Sequence, residues 1–162
     1  MTVNGLVVRK ATSDDASTLL GLVDGLAEYE HLPPPDDAAK ARLISDMCKD
    51  PPRFEAYLAE VGNNALGYAV ILETYSSFLA LPTLYLEDIF ILPEHRGKGI
   101  GYSLFKAIVA EARRRGCGRM EWAVLDWNRP AIDFYERLGA VRLKEWNYYR
   151  LTREDFDRII DQ

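Results

Sequence analysis

Arg96-Gly97-Lys98-Gly99-Ile100-Gly101 is the run whose residue types most directly imply chemistry. It lies between an apolar stretch, Leu84 to Leu92, that reads as a strand, and an amphipathic stretch, Ser103 to Arg115, that reads as a helix. The first N–H groups of a helix have no intrahelical partner and sit at the positive end of its dipole. Glycines let several successive N–H groups approach an anion without interference from Cβ atoms. The turn is therefore a candidate phosphate cradle. Lys98 is not followed by Ser or Thr, and the long glycine spacing of a P-loop is missing, so the nucleotide-triphosphatase pattern fails. The glycines fall at first, third and fifth positions, whereas a dinucleotide fingerprint needs first, third and sixth.

Glu87 and Asp88 stand inside the apolar strand that feeds this turn. A carboxylate there is costly to desolvate unless it has a partner or a task. Strict alternation puts Tyr85, Glu87, Ile89 and Ile91 on one face and Leu86, Asp88, Phe90 and Leu92 on the other. Further along, Tyr135 follows Asn128 by seven positions, close to two helical turns, so the two share a face at a separation of about 10 Å. An amide at one end and a phenol further along could touch two parts of one extended ligand.

The other residue counts narrow the field. Acidic residues outnumber basic ones, 25 to 20, for a formal charge of −5, which argues against nucleic acid as the main partner and for cationic ligands. The one dense basic run, Arg113-Arg114-Arg115, reads first as a helix C-terminus before Gly116. Cys48 and Cys117 form no CxxC pair, and His31 and His95 are far apart, so no metal site is expected. His31 reads as a loop residue and Cys117 as a structural one. The N-terminal residues lack a secretion-signal pattern, and no apolar segment approaches a membrane span. A cytoplasmic location with no membrane partner is the default expectation.

Positioning these groups requires a framework, and the remaining sequence supplies it. Leu6 to Lys10 reads as a strand, and a helix capped by Ser13 or Asp14 runs to about Glu30. The prolines at 33–35 mark a stiff loop, and Asp36 or Asp37 caps a second helix through Lys49. Phe54 to Val61 and Ala65 to Tyr75 read as a hairpin about Gly62-Asn63-Asn64, followed by the strand from Leu84. Arg119 to Leu125 is a further strand. Asn128, with Pro130 in the first turn, caps a helix that ends at Leu138-Gly139. Ala140 to Glu145 and Asn147 to Leu151 read as a last strand pair. The succession describes one α/β domain with a mixed sheet and helices on both faces.

The Arg96-x-x-Gly99-x-Gly101 pattern resembles the acyl-CoA pyrophosphate loop of the GCN5-related N-acetyltransferase superfamily, and the order of elements matches that fold over almost the whole chain. Leu84-Tyr85-Leu86-Glu87-Asp88 and the Asn128-x-Pro130-x-x-x-Phe134-Tyr135 segment resemble the diamine (spermidine/spermine) and thialysine acetyltransferase branch. The resemblance implies a single N-acetyltransferase domain over 1–162 with its acetyl-CoA core at about 84–139. It implies that Ile89, Phe90 and Ile91 line the pantetheine arm, with backbone donors near Phe90 or Ile91 at a strand bulge. Gly97, Lys98, Gly99, Ile100, Gly101 and Tyr102 would cradle the pyrophosphate, and Asn128, Pro130 and Ala131 would touch CoA. Arg96 either adds charge to the phosphates or is a surface residue at the loop edge.

In the same branch, Glu87 helps deprotonate the amine through water, and Tyr135 protonates the departing thiolate. A phenol of pKa ~10 can supply a thiolate whose acid is near ~8.5 once positioned. Structural acceptor roles are the alternative for Glu87 and the first reading for Asp88; Phe134 and Leu138 read as packing residues. Tyr29, Glu30, Glu121, Trp122 and Ala123 correspond to substrate contacts, with an ordinary helix end as the other reading of the first two. Asn147, where an acidic residue is expected, and a shorter hairpin loop point away from long polyamines. The expected activity is acetyl transfer from acetyl-CoA to the primary amine of a small molecule, a diamine or polyamine or a thialysine- or lysine-like amino acid, by direct attack in a ternary complex, in a homodimer. A protein lysine or N-terminal acetyltransferase and a non-catalytic acyl-CoA sensor are the alternatives.

Overall fold

Apolar residues dominate the strands Leu6–Lys10 (β1), Glu55–Val61 (β2), Asn64–Ser76 (β3) and Leu81–Ile91 (β4), and Arg119–Glu121 (β5) is a short fifth strand. The computed structural model describes residues 3–161 and places these strands in one sheet of order β1-β2-β3-β4-β5. The first four pair antiparallel; β5 pairs parallel with β4 over Thr83–Tyr85 only. Beyond Tyr85, β4 therefore leaves β5 and keeps β3 as its ladder partner.

Strict alternation along β4 does not hold. Val70 pairs with Asp88 and Ile71 with Leu86, so Glu87 is the extra residue of a bulge. Directly opposed residues of an antiparallel pair share a face. Leu86 thus joins Ile89 and Ile91 opposite Ile71, Ala69 and Gly67, whereas Tyr85 joins Asp88 and Phe90 opposite Leu72, Val70 and Tyr68. This corrects the expected face assignment. It also moves the bulge from Phe90 and Ile91, which pair regularly with Tyr68 and Gly67, to Glu87.

Helix Ala16–Tyr29 (α1) lies on the Phe90 face; a Cβ on Gly25 would come within 3.1 Å of the Phe90 ring. Helix Asp37–Met47 (α2) joins the same core, in which Leu19, Leu22, Met47, Leu58, Tyr68 and Phe90 are buried together. Asp36 caps α2, its Oδ1 accepting from Ala39 N at 2.7 Å, and Lys40 ties α2 to Asp24 of α1 at 2.7 Å. Helix Ile100–Arg114 (α3) lies on the opposite face, where Gly101 meets Ile91. Its basic C-terminus is paired: Arg115 bonds Glu55 and Glu111, and Arg114 bonds Glu111. Helices thus cover both faces of a mixed sheet, as expected.

Residues through Ala123 form one compact unit and those from Val124 another. The second unit holds helices Arg129–Arg137 (α4) and Arg153–Ile160 (α5). The expected strands over Ala140–Glu145 and Asn147–Leu151 do not form: this stretch is irregular, with Val141, Trp146, Tyr148 and Tyr149 exposed. Alternation supplies propensity, but a strand needs a partner edge, and among its described residues this unit contains none. Strand β5 likewise ends at Glu121, not Leu125. Helix α5, unforeseen, starts from a capping box in which Thr152 N donates to Asp155 Oδ2 at 2.9 Å.

The close approach of β3 to β4 depends on Gly67. A Cβ there would lie 2.4 Å from the Phe90 carbonyl oxygen and 2.4 Å from Ile91 Cδ1. Gly67→Ala should lower the unfolding free energy by at least roughly 1–3 kcal/mol, as overpacking does elsewhere, measured by urea denaturation. A loss below about 0.5 kcal/mol would show that the two strands can separate freely at this point.

Candidate functional site

The glycine turn follows β4 through a 3₁₀ turn, Pro93–His95, and ends at Gly99, the N-cap of α3. Gly97 (φ +73°) and Gly99 (φ +77°) both adopt the left-handed region that favours glycine. No side chain caps the N-terminus of α3, so the amides of its first turn, which lack intrahelical acceptors, face outward from a glycine-lined turn. This geometry suits a pyrophosphate. The turn's two basic side chains are engaged locally: Lys98 Nζ donates to Glu94 O at 2.9 Å, and Arg96 Nε donates to Ile91 O at 2.9 Å. The Arg96 guanidinium lies 4.2 Å from the centroid of the Tyr29 ring and 5.5 Å from that of Phe90. Backbone amides are thus the donors the turn leaves for phosphate.

On the α1 face, the end of that helix meets the middle of the sheet. Tyr29 and Tyr68 flank Phe90, each with a centroid separation of 6.4 Å. Tyr68 donates its hydroxyl to Asp88 Oδ2 at 3.1 Å. Burial pushes the Asp88 carboxyl up to about 6, the Tyr68 bond opposes this, and the neighbouring carboxylates of Glu87 and Glu30 add to the rise. Burial also raises Glu30, and it raises the Tyr68 phenol well above its ordinary range. Glu30 and Asp88 therefore make an acidic cradle, backed by Tyr29 and the buried Tyr68, whose desolvated carboxyls suit an alkylammonium group.

Glu87, expected inside an apolar strand, is exposed at the bulge, and Asp88 beside it is the desolvated carboxyl. Phe90 and Ile91 are buried and face α1 and α3 respectively, so these neighbours line opposite sides of β4. Ile89 and Tyr85 are half-buried. Glu121 pairs with Arg119 at 2.9 Å, Trp122 stacks edge-on to Phe105 at 5.6 Å, and Ala123 is exposed. Ile100 is buried and Tyr102 is exposed.

In the second unit, Asn128 caps α4, its Oδ1 accepting from Ala131 N at 3.4 Å, with Pro130 in the first turn and Gly139 left-handed beyond the end. Tyr135 is buried, lies 5.4 Å from Phe134 between ring centroids, and has its phenol pushed up to about 12 by burial. The structure thus gathers Tyr29, Glu30, Phe90 and Arg96 in the first unit and Asn128, Pro130, Ala131 and Tyr135 in the second. Tyr68 is the contributor that sequence reading missed: only the register that places it opposite Phe90 reveals it. Among the described residues, no cluster of three or more His, Cys, Asp or Glu side chains could hold a metal.

A strand–glycine-turn–helix unit built this way, beside a carboxylate-bearing β4, is that of an acyl-CoA-dependent transferase. Residues 21–140 match the acetyltransferase (GNAT) family, and the chain belongs to it. Thialysine N-epsilon-acetyltransferase from Sus scrofa is 34% identical over 160 residues, covering 92% of this chain and 94% of the relative. L-ornithine N5-acetyltransferase NATA1 from Arabidopsis thaliana is 42% identical over 116 residues, covering 70% of this chain and 51% of the relative. An integron cassette protein from V. cholerae shares the fold with a TM-score of 0.83 at 21% identity, covering 99% of this chain and 100% of that one. The protein is an N-acetyltransferase, and acetyl-CoA is its acetyl donor.

Asp88 predicts a pH-dependent stability. Its folded-state pKa is raised to about 6 from an ordinary 3.8, so the unfolded chain releases the proton first as pH rises. Below about pH 4 the carboxyl is neutral in both states and costs nothing; between about 4 and 6 its cost to the folded state grows, and above that it is constant. Asp88→Asn keeps an acceptor for Tyr68 and removes the charge. It should raise stability by on the order of 2 kcal/mol at about pH 8 and hardly at all near pH 3.5, by urea denaturation. Equal gains at both pH values would show that ionisation is not the cause.

Proposed function

We propose that this enzyme acetylates the primary amine of a small diamine or lysine-like amino acid by direct attack in a ternary complex. The observation that carries the reading is the cradle of Tyr29, Glu30, Tyr68 and Asp88: two desolvated carboxyls, backed by aromatic rings, that match a cationic amine. The names of the relatives, which act on thialysine and L-ornithine, support the same class of substrate. A homodimer located in the cytoplasm goes with this reading, and light scattering on the purified protein tests its oligomeric part.

Acetyl-CoA supplies a thioester whose acyl carbon the amine attacks. The N–H groups of Gly97, Gly99, Ile100, Gly101 and Tyr102 hold the pyrophosphate, and Asn128, Pro130 and Ala131 contribute a further CoA contact. Residues Ile89 to Ile91 lie on the part of β4 that has left β5, where an extended pantetheine arm finds backbone partners. Glu30 and Asp88 hold the ammonium. Exposed at the bulge, Glu87 takes a proton from the ammonium through water, which frees the nitrogen lone pair for attack, and the second proton leaves to solvent as the C–N bond forms. Tyr135 donates its hydroxyl proton to the thiolate as the C–S bond breaks; its pKa of about 12 keeps that proton in place at neutral pH. Glu121, Trp122 and Ala123 border the amine site.

A panel of thialysine, ornithine, lysine, putrescine, spermidine and a lysine peptide, assayed by CoA-thiol release, tests the substrate class. Turnover should favour the short amines. Preference for the peptide would replace this reading with protein acetylation, and no turnover with any amine would refute it. Tyr135→Phe should lower kcat roughly a hundredfold with little change in the KM for acetyl-CoA; a near wild-type kcat excludes it as the general acid. Glu87→Gln should depress kcat/KM near neutral pH and let it recover as free amine accumulates at higher pH. An unchanged pH–rate profile would count against the base role.

A further inference from the structure

Arg96 belongs to the glycine turn by sequence, yet its side chain leaves the turn. Nε donates to the carbonyl of Ile91, the last residue of β4, and the guanidinium stacks 4.2 Å from the Tyr29 ring centroid at the last residue of α1. A planar guanidinium can bond in its plane and stack through its face at the same time, which a lysine ammonium cannot. The residue after Tyr29 is Glu30, one of the two desolvated carboxyls of the amine cradle. The residue after Arg96 is Gly97, whose left-handed backbone starts the phosphate turn. One side chain therefore spans from the turn to the end of the helix that carries the amine-facing pair.

That helix end also packs on Phe90 through Tyr29 and closes on backbone bonds. His31 closes it in a left-handed conformation (φ +59°) that a non-glycine residue adopts at a cost. The closing bonds are Glu30 N to Leu26 O, His31 N to Glu28 O and Leu32 N to Ala27 O, and beyond them runs the loop toward α2. The Arg96–Tyr29 stack joins this strained end to the cofactor turn.

We propose that Arg96 is a positioning residue that fastens the amine-facing end of α1 to the phosphate-holding turn, so that filling the turn orders Tyr29 and Glu30. The significance for amines rests on the substrate reading above; the linkage itself does not. Ligand at the turn restrains residues 96–99, Arg96 transmits the restraint to the Tyr29 ring, and the last amides of α1 open less often. By reciprocity, an amine held by Glu30 favours the cofactor-bound turn.

Amide hydrogen exchange with and without coenzyme A, on wild type, Arg96→Gln and Arg96→Lys, tests this. In the wild type, coenzyme A should slow exchange of the Glu30, His31 and Leu32 amides about tenfold. Both variants should lose that protection while their affinity for coenzyme A changes by less than about threefold, because the phosphate donors are backbone groups. With saturating acetyl-CoA, the KM for the best amine should rise about fivefold or more, with kcat falling far less. Arg96→Lys keeps the charge and removes the stack and the Nε donor, so it reads the linkage even if Arg96→Gln fails to fold.

Three results would overturn the proposal: no coenzyme-dependent protection of α1 in the wild type, protection retained in Arg96→Lys, or affinity for coenzyme A falling tenfold or more while protection persists. The last would assign Arg96 to the phosphates. Because the exchange measurement uses coenzyme A alone, an absence of amine turnover would defeat the substrate reading and leave this result standing.

Discussion

The position of the extra residue in β4 governs how the rest of the site is built. With Glu87 inserted opposite the Val70–Ile71 step, Leu86 turns toward α3 while Asp88 and Phe90 turn toward α1. Without it, the carboxyl of Asp88 and the side chain of Leu86 would compete for one face. A bulge also increases local twist and bends the strand that bears it. Its place, two residues after the β5 ladder ends at Tyr85, coincides with the separation of β4 from β5. The same irregularity thus exposes Glu87, sets half-buried Asp88 on the Tyr68 hydroxyl and coincides with the end of the β5 pairing. The regular pairing of Gly67 with Ile91 and Tyr68 with Phe90 then returns the strand to order just before the turn.

Charge is distributed unevenly around this framework. On one flank, Arg115 bonds Glu55 and Glu111, and Lys10 bonds Glu55 at 2.9 Å; on another, Arg9 bonds Asp15 and Glu60, both at 2.8 Å. There the carboxylates of Asp15 and Glu111 sit below their ordinary range because arginines bond to them. In the cradle the direction is reversed: Asp88 and Glu30 are raised, and the charged groups acting on Asp88 are other carboxylates. The guanidinium of Arg96 stacks on Tyr29 at the edge of this group and donates to Ile91 O, and neither carboxyl draws an ion pair from it. A structural ion pair lowers a carboxyl pKa; a carboxyl kept high by burial and like charge is the pattern of a functional site.

Much of this was legible in the chain, because the signals were local. The glycine turn, the Asn128 cap, the Asp36 cap and the Gly139 terminus each depend on a few adjacent residues whose backbone preferences are strong. What escaped was non-local. Alternation predicts faces only for a regular ladder, and a bulge is decided by two strands together, so Leu86 was assigned to the wrong side and Tyr68 was not seen at all. The stretch from Ala140 to Leu151 has strand-like residues, but pairing depends on an edge that sequence does not specify. Helix α5 was a different kind of miss: Thr152 and Asp155 form a readable capping pair, obscured by the strand reading that ended at Leu151. Arg96 was legible as a motif residue and illegible as a contact, since its partner Tyr29 lies 67 positions earlier.

The cradle poses a conflict that the bulge resolves. Carboxylates that hold an ammonium also raise its pKa, so the groups that favour binding oppose the deprotonation that attack requires. Three carboxylates placed alike would bind amine well and release its proton poorly. Here they are placed differently. Asp88 and Glu30 are desolvated and suited to holding charge, whereas Glu87, adjacent in sequence but exposed by the bulge, lies in reach of solvent. In the proposed mechanism, a proton accepted there passes to bulk water and is not retained beside the nucleophile. Tyr135 presents the converse case, since burial holds its phenol in the protonated form. Binding and proton transfer can thus be divided between neighbouring residues of one strand, because a single inserted residue gives them different exposure to water.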